Sequence, residues 1–279
     1  MAITLPTVLI TGCSAGGIGS ALAEEFHTRG HHVFATARSL SKMSHLETLP
    51  NITLLELDVT SQESINTAVR SVEAKTNGKL DYLVNNSGQA MTMPALDTDL
   101  EQAKKLFDVN FWGVVAVTQA FSPLVITASK GTIVNIASLA AVFYVPWMVF
   151  YNASKSAIRS YGETLRLEMA PFGVKVVTVM TGMVGTNIST NSPEVELPPS
   201  SRYHGAIDQI NDLRTGASVG SSMPASVYAK RVVNDVLRGT TGLTWRGKMA
   251  SVGRTITSIL PTWLIDRSLV SGRGLEHVG

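Results

Sequence analysis

Tyr151 and Lys155 stand four residues apart in YNASKSAIRSYGETLRLEM, a stretch with helical periodicity that puts both side chains on one face. A phenol has a reference pKa of about 10, too high for ready proton exchange at neutral pH. A neighbouring ammonium favours the phenolate and eases that exchange. Such a pair also arises by chance on amphipathic helix surfaces, so its weight comes from its company. IVNIAS ends an apolar run at Ser138, which points a hydroxyl into a crevice. FDVNFWG sets Asn110 in the middle of a helix, an unfavourable place for an amide without a task. LVNNSG ends another run with Asn85, Asn86, Ser87 and Gly88, suited to closing over a nucleotide.

Near the N-terminus, TVLITGCSAGGIGSALAEEF carries Gly12, Gly16, Gly17 and Gly19 between an apolar run and a helical pattern. Backbone N–H groups and a helix N-terminus there favour an anion, and a merely flexible turn rarely needs so many glycines. A P-loop is excluded, because Ile18 follows Gly17 where Lys is required. The G-x-G-x-x-G spacing is absent as well. The second apolar run ends FATAR, with no acid to accept hydrogen bonds from a ribose 2′-hydroxyl. Arg38 stands there instead, and a guanidinium pairs with a 2′-phosphate, so NADP(H) is preferred over NAD(H). The plainer alternative for Arg38 is a solvated residue opening a loop.

The elements that must hold these groups alternate. Apolar runs at 7–11, 32–37, 52–57, 80–85, 131–138 and 174–180 are separated by longer segments with 3.6-residue periodicity. Continuous apolar strands, each followed by a helix, predict an α/β fold: a doubly wound, Rossmann-like parallel sheet covered on both faces. Its ligand lies beyond the carboxyl ends of the strands. The expectation is one domain over 1–279, with a core at about 5–250, an apolar tail at 251–279 and a substrate lid at about 187–224. That lid includes the Ser-, Pro- and Asn-rich NISTNSPEVELPPSSRYHG (187–205).

Composition agrees. Hydrophobic residues make up 44% and charged residues 16%, enough to build a large core. A net charge of +2 without a basic stripe argues against nucleic acid. The single cysteine, Cys13, fits a reducing compartment. No charged region followed by a long apolar segment opens the chain, and LAAVFYVPWMVFY (139–151) is too short to span a bilayer. A cytoplasmic protein is expected. His27 and His31 have i, i+4 spacing, but a helix ending at Gly30 explains them better than a metal, and no metal is expected.

In this order, the pieces resemble the short-chain dehydrogenase/reductase family over about residues 5–250. There a T-G-x-x-x-G-x-G loop, an N-N-A-G turn, a helix Asn, a strand-end Ser and Y-x-x-x-K follow one another, here as Thr11–Gly19, Asn85–Gly88, Asn110, Ser138 and Tyr151–Lys155. The resemblance implies that Tyr151 is the acid or base and that Ser138 bonds the reacting oxygen. It implies that Lys155 binds the nicotinamide ribose and lowers the tyrosine pKa, while Asn110 holds a relay water. Cofactor contacts are implied for Gly12, Ser14, Gly17, Ile18, Gly19, Arg38, Asp58, Val59, Asn86, Ser87, Gly88, Tyr151, Lys155, Val184 and Thr186. The chain departs from the pattern at Gly16, an apparent insertion, at Ser87 for Ala, and at Thr181 for Pro. The last predicts a less rigid start to the lid.

Sequence order places Val142, Phe143, Tyr144, Val145, Trp147 and Met183 near the reacting oxygen. The substrate contacts expected are Ser138, Val145, Trp147, Tyr151 and Met183, with an apolar ketone or alcohol such as a lipid, terpenoid or polyketide as ligand. The extra-glycine loop and FDVNFWG look most like a fungal branch of the family. It groups with 1-acyl-dihydroxyacetone-phosphate reductases and steroid or retinol dehydrogenases, and includes ketoreductases of secondary-metabolite pathways. NADPH-dependent ketone reduction is therefore expected. The alternatives are reduction of an acyl-dihydroxyacetone phosphate, held by Arg202, His204 or Arg214, a redox-neutral isomerase or dehydratase, and an NADP-binding regulatory protein without turnover. The family also implies a homodimer or homotetramer, paired through helices near Leu100 and Phe150. TITSILPTWLIDRSLV (255–270) is apolar enough to lie peripherally on a lipid or endoplasmic-reticulum surface, though such tails more often pack on their own domain.

Overall fold

Three apolar residues between two threonines, Thr7–Thr11, form β1, and every one of the five is buried. In the computed structural model, which describes residues 3–188, 194–216 and 221–278, β1 is flanked by β2 (His32–Ala37) and β4 (Tyr82–Asn85). β3 (Ile52–Glu56), β5 (Thr132–Ile136), β6 (Lys175–Thr181) and β9 (Gly242–Arg246) complete a parallel sheet in the order β3-β2-β1-β4-β5-β6-β9. The order reverses between β1 and β4, so a crevice opens beyond their carboxyl ends.

Alternation along each strand feeds two cores. Val8, Ile10, Val33, Ala35, Val134 and Val177 pack with α1 (Ile18–Thr28) and α7 (Ala225–Leu237) on one face. Leu9, Phe34, Leu83, Ile133 and Val176 face the other way, toward α2 (Gln62–Thr76) and α4 (Gly113–Thr127). With both faces covered, the strands have no polar side to present, which is why they read as unbroken apolar runs.

α3 (Leu100–Phe107) runs through a π-turn (Asp108–Trp112) directly into α4. Together these 28 residues are long and apolar enough to cross a membrane by length and composition. The face carrying Val117, Phe121 and Val125 is buried on the sheet, as in a core helix. α5 (Val149–Met169) carries the Tyr151–Lys155 pair.

Beyond β6 the structure adds elements that periodicity did not resolve. The two-residue strands β7 (Val184–Gly185) and β8 (Met223–Pro224) pair outside the main sheet. α6 (Ile207–Thr215) lies inside the expected lid, of which 189–193 and 217–220 fall outside the described residues. The seventh strand, β9, follows α7, and the tail forms two helices, α8 (Ala250–Ile259) and α9 (Thr262–Val270).

Thr181, standing where the resemblance has a proline, is hydrogen-bonded in the core. Its hydroxyl and the Tyr228 hydroxyl hydrogen-bond at 2.6 Å in the core, while Gly182 N–H donates to the Arg246 carbonyl at 2.8 Å. Hydrogen bonds tether the start of the lid where a proline ring would otherwise stiffen it.

Candidate active site

The turn after β1 is built by glycine. Gly12 and Gly16 adopt φ of +76° and +72°, which side chains rarely take. A Cβ at Gly19 would collide with the Gly12 carbonyl, so the start of α1 presses directly on the loop. Gly17 is the N-cap of α1 and has no side chain to satisfy the first-turn amides. By contrast α2 and α3 are capped by the side chains of Ser61 and Asp99. The uncapped N–H groups and helix dipole at Ile18 and Gly19 suit a phosphate. Gly17 N–H donates to the carbonyl of half-buried Ser14 at 3.1 Å and closes the turn.

The end of β4 is stitched to this loop. Asn86 and Ser87 N–H both donate to the Thr11 hydroxyl, at 2.9 and 3.0 Å. The Asn86 amide donates to the carbonyls of Thr11 and Gly12 at 2.8 and 3.0 Å. Asn86 thus braces the glycine loop, and Ser87 and Gly88 follow it into the crevice. A Cβ at Gly88 would stand 3.4 Å from both Lys155 Nζ and Asn110 Oδ1, so glycine leaves room beside the ammonium.

Asn110 is fully buried in the π-turn. Its Oδ1 accepts from Gln89 N–H at 2.8 Å, and its Nδ2 donates to the Gln89 carbonyl and the Ser154 hydroxyl at 2.9 and 3.1 Å. The amide therefore locks the segment after Gly88, with one Oδ1 lone pair to spare. Ser154, which sequence reasoning passed over, in turn donates to the Tyr151 carbonyl at 2.8 Å. Its only signal was a small hydroxyl residue between Tyr151 and Lys155.

Ser138 N-caps a short 3₁₀ turn, its hydroxyl accepting from Ala140 N–H at 3.1 Å. The Tyr151 phenol faces that hydroxyl. Lys155 is 6% exposed, donates to the Ile136 carbonyl at 3.0 Å and sits 5.9 Å from the centre of the Tyr151 ring. Burial brings its pKa down to about 8. The tyrosine moves opposite to expectation: desolvation pushes the Tyr151 phenol above its usual range, and Ser138 offsets only part of the rise. A lysine that burial itself disfavours as a cation does not reverse the cost of burying a phenolate.

The remaining predicted residues spread around this centre. Arg38 is exposed just past β2 and makes no ion pair among the described residues. The Asp58 carboxylate accepts from Thr60 N–H and hydroxyl at 2.9 and 2.8 Å, while Val59 is buried against Gly113. Val184 lies in β7, and the Thr186 hydroxyl accepts from Ile188 N–H at 3.4 Å. The Met183 carbonyl accepts from the N–H groups of Met223 and Lys248. Trp147, expected in the substrate wall, is instead buried in an apolar cluster with Ala206, Ile210 and Leu213, and Val145 packs against it. Phe143 lies under Gly253 of α8, whereas Tyr144 is 66% exposed. Among the described residues no group of three His, Cys, Asp or Glu could hold a metal.

The family model described as short chain dehydrogenase matches residues 6–196. Short-chain dehydrogenase ptmH of Penicillium ochrochloron is 49% identical over 270 residues, covering 97% of this chain and 98% of that protein. The NADPH-dependent 1-acyldihydroxyacetone phosphate reductase of Schizosaccharomyces pombe is 47% identical, covering 94% of this chain and 92% of that protein. A short chain dehydrogenase from Burkholderia cenocepacia, solved in complex with NADP, superposes with a TM-score of 0.75 at 26% identity, covering 96% of this chain and 98% of that one.

Proposed function

The chain belongs to the short-chain dehydrogenase/reductase family of nicotinamide-dependent oxidoreductases, and from that premise we propose that it reduces a ketone on an apolar substrate with NADPH, or runs the reverse oxidation. The observation that carries this reading is the grouping of Ser138, Tyr151 and Lys155 beside the crevice, with a phenol that stays protonated at neutral pH. Such a phenol is the proton donor that reduction requires.

The residues fit NADP(H). The uncapped N-terminus of α1 with Gly12, Ser14, Gly17, Ile18 and Gly19 receives the pyrophosphate, and Arg38 receives the 2′-phosphate. Asp58 and Val59 border the adenine, while Asn86, Ser87 and Gly88 line the strand ends. Lys155 holds the nicotinamide ribose, and Val184 and Thr186 its carboxamide. When bound, the nicotinamide supplies the hydride. Ser138 donates a hydrogen bond to the substrate oxygen, and Tyr151 delivers its proton to that oxygen as negative charge develops there. Lys155, with a relay water on the spare lone pair of Asn110, restores that proton.

The 47% identity to a reductase of 1-acyldihydroxyacetone phosphate favours one specific second substrate within the same reading. Exposed Leu100, Trp112, Val149 and Leu167 on the helices α3 to α5 support pairing into a homodimer or homotetramer. Exposed Ile259, Trp263 and Leu264 beside Arg254 and Arg267 support a peripheral contact of a cytoplasmic enzyme with a lipid surface.

The test is NADPH oxidation over a panel of apolar ketones, including an acyl-dihydroxyacetone phosphate, with NADH and Tyr151→Phe in parallel. Turnover that needs NADPH and falls by about 10³ or more in Tyr151→Phe supports the reading, given what a positioned proton donor contributes. NADPH binding without reduction of any ketone would favour the non-catalytic alternative. Substrate conversion without net NADPH consumption would favour an isomerase.

A further inference from the structure

Trp147 and Arg273 are 126 residues apart, yet the Trp147 indole N–H donates to the Arg273 carbonyl at 2.9 Å. Trp147 sits in the segment between Ser138 and Tyr151, only four residues before the tyrosine, and has a φ of +67°. A tryptophan rarely takes this conformation, so the surroundings must hold it there. Its carbonyl is also fixed, accepting from Met93 N–H at 2.7 Å.

The segment that supplies the Arg273 carbonyl lies against the excursion between β7 and β8. Gly274 has a φ of +76°, and a Cβ there would come within 2.8 Å of Gln209 Oε1 and 3.0 Å of Ala206 Cβ. On the facing side, a Cβ on Gly205 would collide with the His277 carbonyl. Gly205 thus lets the His277 backbone approach, while Gly274 makes room for the Gln209 and Ala206 side chains. Val278 packs on the cluster of Trp147, Ala206, Ile210 and Leu213. One hydrogen bond, one close backbone approach, one side-chain approach and one apolar contact therefore tie residues 273–278 to Trp147, to the turn before α6 and to α6 itself.

We propose that the Gly272–Val278 strap is a working part of the substrate lid, holding α6 against Trp147 so that the wall next to Tyr151 is formed before substrate arrives. Trp147 and the strap are positioning elements and touch none of the reacting atoms. The lid function rests on the reductase reading above, whereas the mechanical tie does not. Losing the strap raises the cost of ordering α6 on binding, which is read in KM, while the Ser138–Tyr151–Lys155 chemistry keeps its kcat.

The full chain, Gly274→Val, Trp147→Phe and a protein ending at Val270 are compared by amide hydrogen exchange and steady-state kinetics. Gly274→Val is expected to speed exchange across 207–215 by about tenfold or more, as local opening becomes cheaper. It raises the ketone KM by about tenfold and leaves kcat within about threefold. Gly205→Ala, which collides with the His277 carbonyl from the lid side, repeats the effect if Gly274→Val does not fold. Unchanged exchange across 207–215 in a folded variant overturns the tie. A fall in kcat at constant KM overturns the positioning role. If the full chain reduces no ketone, the reductase reading fails, and hydrogen exchange alone still decides whether the strap holds α6.

Discussion

Lys155 holds its ammonium 5.9 Å from the centre of the Tyr151 ring and gives one N–H to the Ile136 carbonyl. Both groups are pushed toward their uncharged forms by burial, which moves the phenol up and the ammonium down. The site at neutral pH therefore holds a neutral phenol next to a lysine that is close to giving up its charge.

Reduction should accordingly be flat with pH through neutrality and fall as pH rises past about 8, where Lys155 loses its proton before Tyr151 does. The pH dependence of kcat/KM for ketone reduction checks this. A profile that falls with decreasing pH from 8 to 6 would instead require the phenolate as the working form.

Lys155→Met should abolish turnover yet stabilise the fold at pH 7. Depression from 10.5 to about 8 means that the folded state binds fewer protons than the unfolded one between those values. This contribution to stability therefore rises with pH across that window, and the full penalty applies below it. The penalty is about 3 kcal/mol. Leaving the Ile136 carbonyl without its donor costs about 1–3 kcal/mol in return. A net gain of about 1 kcal/mol is expected in urea melts, shrinking as pH rises from 8 to 10.5. A variant less stable than the parent at pH 7 would mean that the ammonium is solvated where it sits.

Arg38→Glu should raise the KM for NADPH by roughly 100-fold while leaving that for NADH within about threefold, because the reversal repels a 2′-phosphate and tolerates a hydroxyl. Parallel kinetics with the two cofactors decide it. Equal losses for both would remove Arg38 from the 2′-phosphate.

The lipid contact predicts co-sedimentation with phosphatidylglycerol vesicles at low salt, reduced about tenfold or more in the Ile259→Asp/Trp263→Asp double variant. Ile259 and Trp263 are 72% and 66% exposed, so the exchange should leave the melting temperature near that of the parent. Failure of the parent chain to pellet with these vesicles would dismiss the contact.

Much of this site could be read along the chain, because strand ends carry sequence signals. Apolar runs buried on both faces, broken by glycine or asparagine, located the turns at Gly12–Gly19 and Asn85–Gly88 and the hydroxyl at Ser138. GLTWR hid the seventh strand, since five residues opening with glycine and closing with arginine carry little apolar signal. Trp147 and Tyr151 show the harder limit. Their types suggested contact with substrate and an eased proton, but depth of burial put the indole in an apolar cluster and the phenol pKa above its usual range. Depth belongs to the packing of distant segments, such as 273–278, and leaves no mark in local spacing.

The π-turn at Asp108–Trp112 has one further consequence, concerning insertions and deletions. Buried positions at 103, 106, 110, 114, 117 and 121 look like one unbroken helical stripe, but a π-turn carries one residue more than the α-turn it replaces. One residue amounts to about 100° of rotation, so the halves of the helix aim at different neighbours. Deleting any one residue between 108 and 112 other than Asn110 would restore an ordinary α-helix and cost little in backbone hydrogen bonds. It would also swing Asn110 off Gln89 or turn Ala103 and Leu106 away from their packing. Such a deletion suits the helix and ruins the site, so natural length variation near this segment belongs in the loop before Leu100.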